Sequence, residues 1–243
     1  MGRSGIGVKI NSLMTPRLMT VAEMVQNATF VADVGTDHAY VPVYLVLNNI
    51  VQKALAMDIN EGPLMRAEEN IRRFLLDDKI KTRLSDGLKE LCDGEADTVI
   101  IAGMGGILIN NIIENDRRRL KSVKKYILQP MTAIEETRKY LYENGFRIVD
   151  EKLAKEDNKI YTIISAVHGE MKAESEIEYY IGKCLVENRD KYLPDLLRGK
   201  IYEYEKALAS MQKASGDELD ARKKHFEYLL NELKKISEEC AKW

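Results

Sequence analysis

The chain has 243 residues, of which 45% are hydrophobic and 31% charged. This balance predicts a folded protein with a sizeable core. A formal net charge of −2 excludes a uniformly basic surface, so any nucleic-acid contact must rest on local patches. The apolar stretches are too short to span a bilayer, and no apolar leader opens the chain. Three distant cysteines form neither a disulfide framework nor a metal pattern. We therefore expect a cytoplasmic protein without a metal site.

The first predicted element is a helix over Asn11–Asn27. Thr15-Pro16 suits its first turn, because proline is tolerated where the backbone N–H has no helical partner. Arg17 then lies in that first turn. The face that we expect to be buried carries Leu18, Val21, Ala22 and Val25.

Strands then alternate with helices. The predicted strands are Phe30–Val34, Lys53–Ile59, Ile80–Leu84, Ala96–Ala102 and Lys125–Leu128, followed by Phe146–Ala154 and Ile160–Val167. The predicted helices are Val41–Asn49, Asn60–Leu75, a segment from Gly106 to Ile113, and Thr132–Asn144. Alternation predicts an α/β fold with a doubly wound, seven-stranded, Rossmann-like sheet. The last two strands flank Glu156-Asp157-Asn158 and are expected to form an antiparallel hairpin at its edge.

The composition changes after His168, which predicts a domain over 1–168 and a second one over 169–243. Two segments of the second domain have apolar residues at heptad spacing, with Ser215-Gly216-Asp217 between them. Their apolar positions are Leu197, Ile201, Tyr204, Leu208 and Met211, then Phe226, Leu229, Leu233, Ile236 and Cys240. This pattern predicts two long helices in an antiparallel coiled coil. The coiled coil could serve packing or dimerisation, or could be a rigid prong that contacts a large substrate.

Four predicted strands end in glycines and acids. These strand ends carry Asp33 with Gly35-Thr36-Asp37-His38, then Asp58-Ile59, Asp86-Gly87, and Gly103-Met104-Gly105-Gly106. The carboxyl ends of parallel strands meet at one edge of the sheet, where ligands bind. Glycines allow close approach to the backbone, and acids can accept hydrogen bonds from ribose hydroxyls and an adenine amino group. The set predicts a site for an adenosine-containing cofactor.

NAD and S-adenosylmethionine both fit such a site. NAD usually requires G-x-G-x-x-G, so that a pyrophosphate can lie at the helix N-terminus. Here a single glycine is followed by Thr36, Asp37 and His38. The Asp37 carboxylate would repel a pyrophosphate but attract an ammonium or a sulfonium. This favours S-adenosylmethionine and leaves an NAD oxidoreductase as the weaker alternative.

Together the motifs ADVGTDHAYVP, AMDINEGP, SDGL, IAGMGG and ILQP resemble those of the bacterial tRNA (adenine-22-N1)-methyltransferases, which have the class I methyltransferase fold. The resemblance runs from about Asn11 to Gly169, and the family also carries a C-terminal helical coiled coil. It implies transfer of a methyl group from S-adenosylmethionine to N1 of an adenine in the D-arm region of tRNA. We expect a monomer.

The resemblance also implies roles for individual residues. Those expected around the cofactor are Arg17, Asp33, Gly35, Thr36, Asp37, His38, Asp58, Ile59, Asp86, Gly87, Ala102, Gly103, Met104, Gly105 and Gly106. Gln129-Pro130 matches a family QP-N motif on the substrate side, with Met131 in place of the asparagine.

The catalytic candidates are Asp37, Gln129 and Pro130. Attack by adenine N1 creates positive charge on the base, which a nearby carboxylate can stabilise; the same carboxylate can instead accept a proton from the exocyclic amine. Asp37 is the candidate for this role, and a contact to the cofactor ammonium is the alternative. Gln129 is expected to position the base by hydrogen bonding.

Two basic clusters are candidates for phosphate contacts. The denser one comprises Arg117, Arg118, Arg119, Lys121, Lys124 and Lys125, and the second comprises Arg66, Arg72 and Arg73. Such runs are also common on surfaces that contact only solvent. Two other functions therefore remain possible at this point: methyl transfer to a small molecule or protein, and non-catalytic binding of S-adenosylmethionine or a nucleotide.

Overall fold

The computed structural model describes residues 10–211 and 217–243. The chain divides into two compact units, with the division after Lys172. In the first unit the described strands are β1 Phe30–Val34, β2 Lys53–Asp58, β3 Ile80–Leu84, β4 Thr98–Met104, β5 Lys125–Pro130, β6 Phe146–Glu156 and β7 Lys159–His168. Its helices are α1 Pro16–Glu23, α2 Tyr40–Leu47, α3 Glu61–Arg73, α4 Gly106–Asp116 and α5 Ile134–Glu143.

The seven strands form one sheet in the order β3-β2-β1-β4-β5-β7-β6. β1 to β5 pair in parallel, whereas β7 pairs antiparallel with both β5 and β6. The predicted doubly wound sheet with a terminal hairpin is thereby confirmed. The strand order reverses between β1 and β4, and in such sheets a crevice opens outside the carboxyl ends of the strands at that point.

The centre of the sheet is buried on both faces. In β4, Thr98 and the three residues that follow it are buried, and Val31 and Ala32 of the neighbouring β1 are fully buried. Runs of β-branched residues without polar alternation are typical of parallel strands covered by helices on both sides. Burial of this kind leaves only the strand ends available for polar chemistry.

The first helix is shorter than predicted. Helix α1 begins at Pro16, because the Thr15 side chain accepts a hydrogen bond from the Leu18 N–H at 3.4 Å and caps the helix there. The chain leaves the helix after Glu23, and Asn27 has a left-handed φ of 58°. The prediction of a helix over Asn11–Asn27 was therefore wrong in extent, although Val21 and Ala22 are buried as expected.

The second unit contains four described helices. Two short ones, α6 Ile177–Ile181 and α7 Lys183–Glu187, have no predicted counterpart. The two long ones, α8 Leu193–Met211 and α9 Asp217–Cys240, match the predicted pair.

Helices α8 and α9 pack against each other. The Tyr204 ring meets the Phe226 ring edge-on at 5.1 Å, and Lys234 forms an ion pair with Glu205 at 2.7 Å. Only five residues separate the helices in sequence, so packing along their length requires opposite directions. The predicted break at Ser215-Gly216 lies outside the described residues. Within the described ranges, no helix is both long and apolar enough to cross a membrane.

Candidate active site

A cavity of about 310 Å³ lies at the carboxyl ends of β1 and β4. Its volume falls at the lower end of the range for small-molecule sites. The residues that line it are Arg17, Leu18, Asp33, Gly35, Thr36, Asp37, His38, Ala39, Tyr40, Val41, Ala102 and Gly103. Eight of the predicted cofactor residues, including Arg17, therefore line one cavity.

The turn after β1 requires glycine at position 35. Its φ is +77°, and a Cβ there would lie 2.1 Å from the Cε atom of Met104. The N–H groups of Gly35 and Thr36 both donate to the Met57 carbonyl oxygen, at 2.8 and 2.9 Å. The turn is thus held to β2 by hydrogen bonds and to the end of β4 by direct packing.

Asp33 is a buried acid in the wall of this cavity. It lies in β1 between Ala56 of β2 and Ile100 of β4, and only 8% of its surface is exposed. Burial raises the pKa of Asp33 to about 6, although a hydrogen bond with Thr36 acts in the opposite direction. A buried carboxyl group beside a cavity is a good partner for a cationic ligand.

Asp37 is more exposed and already has two partners. Both Nε and Nη2 of Arg66 donate to its Oδ1 atom, and the His38 Nε2 atom lies 3.3 Å from Oδ2. The His38 ring stacks on Tyr40 at a centroid distance of 5.0 Å. Arg66 comes from α3, so the orientation of this carboxylate depends on a helix that sequence reasoning did not connect with it.

The acids that end β2 and β3 do not line the cavity. Asp58 accepts a hydrogen bond from the Asn60 N–H at 2.8 Å, and Asp86 pairs with Lys89. Ile59 is 59% exposed at the same edge of the sheet. Gly87 packs under Ile112, where an added Cβ would lie 3.1 Å from Cγ1. The structure therefore places these predicted cofactor residues along the edge but outside the cavity.

A bulge in β4 connects the cavity to β5. Pairing shifts between Ala102 and Met104, so Gly103 has no partner in the β5 ladder. The Gly103 N–H donates instead to the Gln129 Oε1 atom at 3.1 Å, and Arg17 Nη1 donates to the same oxygen at 2.8 Å. Gln129 is fully buried. Its carboxamide therefore organises the site from behind the cavity wall.

Arg17 is also held by the β6–β7 hairpin. Its guanidinium lies 5.6 Å from the centre of the Tyr161 ring, and its backbone N–H donates to Glu156 Oε2 at 3.4 Å. Sequence reasoning missed both partners, because no motif marks them and the contact depends on where the hairpin ends. The other residues that it missed in the cavity wall are Leu18, Ala39, Tyr40 and Val41.

The residues after Gly103 pack on the segment that follows β5. The Gly106 N–H donates to the Thr132 carbonyl oxygen at 2.9 Å, and a Cβ on Gly106 would lie 2.3 Å from the Ala133 carbonyl oxygen. Pro130 ends β5 and accepts a hydrogen bond from Gln129 Nε2 at 3.2 Å. These contacts explain why residue 106 is glycine and why the end of β5 is fixed in position.

The denser of the predicted basic clusters, which begins at Arg117, lies toward the amino ends of the parallel strands. It lies there because α4 runs back from the carboxyl end of β4. Arg117 donates to Glu114 and to the Asn144 carbonyl oxygen. Arg119 donates to Asp116 and to backbone carbonyls that include that of Leu91. Arg118, at 85%, Lys121 and Lys124 have exposed side chains, and Arg119 is 44% exposed although its guanidinium has these partners. No group of residues suited to a metal ion occurs within residues 10–211 and 217–243.

Comparisons with known proteins agree with this geometry. A family model described as a methyltransferase domain matches residues 14–164. The tRNA (adenine(22)-N(1))-methyltransferase of Bacillus subtilis strain 168 is 39% identical over 160 residues, which cover 66% of this chain and 67% of that protein.

Two solved structures are similar over most of the chain. The crystal structure of the B. subtilis tRNA methyltransferase TrmK has a TM-score of 0.83 and 30% identity, and covers 92% of this chain and 98% of that one. The structure of M. capricolum TrmK in complex with S-adenosyl-homocysteine has a TM-score of 0.76 and 30% identity, with 91% and 96% covered.

The fold, the cavity at the reversal point of the sheet and the family model define a methyltransferase. The relatives narrow the class further. The chain belongs to the family of bacterial tRNA (adenine-22-N1)-methyltransferases, which confirms the resemblance found in its motifs.

Replacing Asp33 with Asn should raise the free energy of unfolding at neutral pH. The pKa of Asp33 is about 6 in the folded protein and 3.8 without the fold, so the folded state holds a proton that the unfolded chain releases. Wild-type stability should therefore fall as the pH rises through roughly 4 to 6. Above this window the pKa difference between the folded and unfolded states corresponds to a loss of about 3 kcal/mol in the free energy of unfolding. Urea titrations across the window measure it, with Asp86→Asn as an exposed control. If the difference in free energy of unfolding between Asp33→Asn and wild type did not become smaller toward low pH, this assignment would be contradicted.

Gln129→Ala should lower the free energy of unfolding by about 1–3 kcal/mol, because the Gly103 N–H and Arg17 would lose their shared acceptor. It should also lower the rate of methyl transfer. Chemical denaturation and single-turnover kinetics measure the two effects. Gln52→Ala, at an exposed position, is the control. If both variants were equally stable and active, the buried carboxamide would have no organising role.

Proposed function

We propose that this protein transfers a methyl group from S-adenosylmethionine to N1 of adenine 22 in bacterial tRNA. The observation that carries the proposal is the similarity to the B. subtilis enzyme of that name. The methyltransferase family model also spans all the residues that line the cavity. The cavity supports it independently, since its two acids suit a cationic ligand better than a pyrophosphate. This is also why an NAD-dependent activity is disfavoured.

The residues of the cavity fit S-adenosylmethionine. Asp33 and Asp37 provide negative charge, Arg17 provides positive charge for a carboxylate, and the turn at Gly35 allows close approach to the backbone. Asp58 and Asp86 at the adjacent strand ends are proposed to contact the adenosine part, next to Ile59 and Gly87. When bound, S-adenosylmethionine supplies a methyl group that is already activated on a sulfonium, so no metal or general base is needed to create the electrophile.

The protein itself must orient the adenine and exclude water. We propose that Asp37 offsets positive charge in the site, with its carboxylate oriented by Arg66 and His38. Gln129 is fully buried and both ends of its carboxamide have intramolecular partners. We therefore assign it a positioning role through Arg17 and Gly103, in place of the direct base contact expected from its motif. Pro130 is proposed to keep the end of β5 rigid.

We propose that tRNA contacts two further parts of the protein. One is formed by three exposed members of the denser basic cluster, Arg118, Lys121 and Lys124. It is separated from the cavity edge by α4, whose 11 residues extend about 16 Å, so a macromolecular substrate can reach both. The other is the α8–α9 pair, in keeping with the domain division at 168 expected from the sequence. We also propose that the protein is a monomer and that it is cytoplasmic. The odd number of dispersed cysteines supports the cytoplasmic location.

The first experiment measures methyl transfer from labelled S-adenosylmethionine to tRNA transcripts with adenine or guanine at position 22. Label should enter the adenine transcript only and be recovered as 1-methyladenine. Guanine at this position is the matched control, because the rest of the RNA is unchanged. Transfer to protein or small molecules without RNA would favour a different substrate class. Cofactor binding without any transfer would favour a non-catalytic module.

The triple variant Arg118→Ala/Lys121→Ala/Lys124→Ala should bind tRNA more weakly. Each lost phosphate contact should reduce the slope of log affinity against log salt by about 0.7–0.9. Filter binding between about 50 and 200 mM salt measures the slope. Affinity for S-adenosylmethionine is the internal control and should not change, since these residues lie far from the cavity. An unchanged salt slope would remove this cluster from the RNA-binding surface.

A further inference from the structure

Three large apolar side chains are exposed just beyond the carboxyl ends of β4 and β5. They are Ile107 at 53%, Leu108 at 52% and Met131 at 43%. We call this set the apolar platform. Ile107 and Leu108 lie in the first turn of α4, and Met131 directly follows β5. Water contact with side chains of this size is unfavourable, and clusters of them often mark binding surfaces.

The backbone brings the platform together. The Met131 N–H donates to the Met104 carbonyl oxygen at 2.8 Å, and the Gly106 N–H donates to the Thr132 carbonyl oxygen at 2.9 Å. The close packing of Gly106 on Ala133 leaves no space for a side chain between the two segments. The start of α4 and the residues after β5 therefore form one rigid surface.

This surface is continuous with the wall of the cavity. Gly103 lines the cavity, and the next residue, Met104, packs on Gly35 with its side chain while its carbonyl oxygen holds Met131. Met104 therefore connects the cavity wall to the platform, on the β4–β5 side of the sheet.

Met131 stands where the family motif has an asparagine, and its surroundings show how the exchange is accommodated. The Gln129 Nε2 atom lies 3.4 Å from the Met131 sulfur, which acts as a weak acceptor. The residue is nevertheless 43% exposed. An extruded nucleobase presents a flat aromatic face, which exposed apolar side chains can cover.

We propose that the apolar platform stacks against the extruded target adenine of the tRNA substrate, with Met131 as its principal contact. The proposal rests on the proposed function and specifies how this chain holds the base without the asparagine of the motif. Burial of the three side chains by the base offsets part of the cost of unstacking it from the RNA. The platform requires no hydrogen bond to the base, so its contribution depends on apolar surface and shape.

The test compares Met131→Ser, Met131→Leu and Ile107→Ser with wild type in methyl-transfer kinetics on full-length tRNA. Met131→Ser and Ile107→Ser should each lower kcat/KM for tRNA about tenfold, with unchanged affinity for S-adenosylmethionine measured by calorimetry. Met131→Leu should stay within about twofold of wild type, because it removes the sulfur but keeps the apolar surface. The matched control is Val149→Ser, which changes a side chain 41% exposed on β6 at the other edge of the sheet.

The outcomes separate the platform from other roles of Met131. Loss in Met131→Leu equal to that in Met131→Ser would assign the effect to the sulfur contact with Gln129 and overturn the stacking role. Activity of Met131→Ser and Ile107→Ser equal to that of Val149→Ser would overturn the platform altogether while leaving methyl transfer intact. Absence of transfer by the wild-type protein would overturn the proposed function, and the platform with it.

Discussion

The geometry of the site depends on the hydrogen bonds that the buried Gln129 carboxamide makes. Its oxygen accepts from the Gly103 N–H and from Arg17, and its nitrogen donates to the Pro130 carbonyl oxygen. One side chain thereby joins the bulge of β4, the end of β5 and the start of α1. A buried polar group must have its hydrogen bonds satisfied, so this arrangement allows little variation in the relative positions of the three segments.

The electrostatics of the cavity come from two acids in different surroundings. Asp33 is buried in the central strand, and its burial raises its pKa to about 6. Asp37 is largely exposed and is paired with Arg66 and His38. The first acid lowers the stability of the protein at neutral pH, whereas the second is held by partners from its own turn and from α3. An unfavourable buried acid next to a cavity is a common property of functional sites.

Much of the fold could be predicted from periodicity. β1 and β3 have the predicted bounds, and the hairpin and the long C-terminal helices occur where expected. The first helix differs from its prediction, because a local cap at Thr15 sets its start and the helix already ends at Glu23, whereas the apolar spacing would have continued in both directions. The extension of β4 to Met104 was also missed, because glycine at the bulge looks like the end of a strand.

The sequence alone determined the alternation of strands and helices, and hence the edge at which glycines and acids would gather, since both follow from local hydrophobic patterns. It also carried the motifs that place the chain in its family. Only the tertiary structure decided that Gln129 is buried, that Arg117 and Arg119 have intramolecular partners, and that Met131 lies beside the first turn of α4. These facts depend on contacts between residues far apart in the chain, on a strand bulge and on the register of the hairpin, none of which has a local signature.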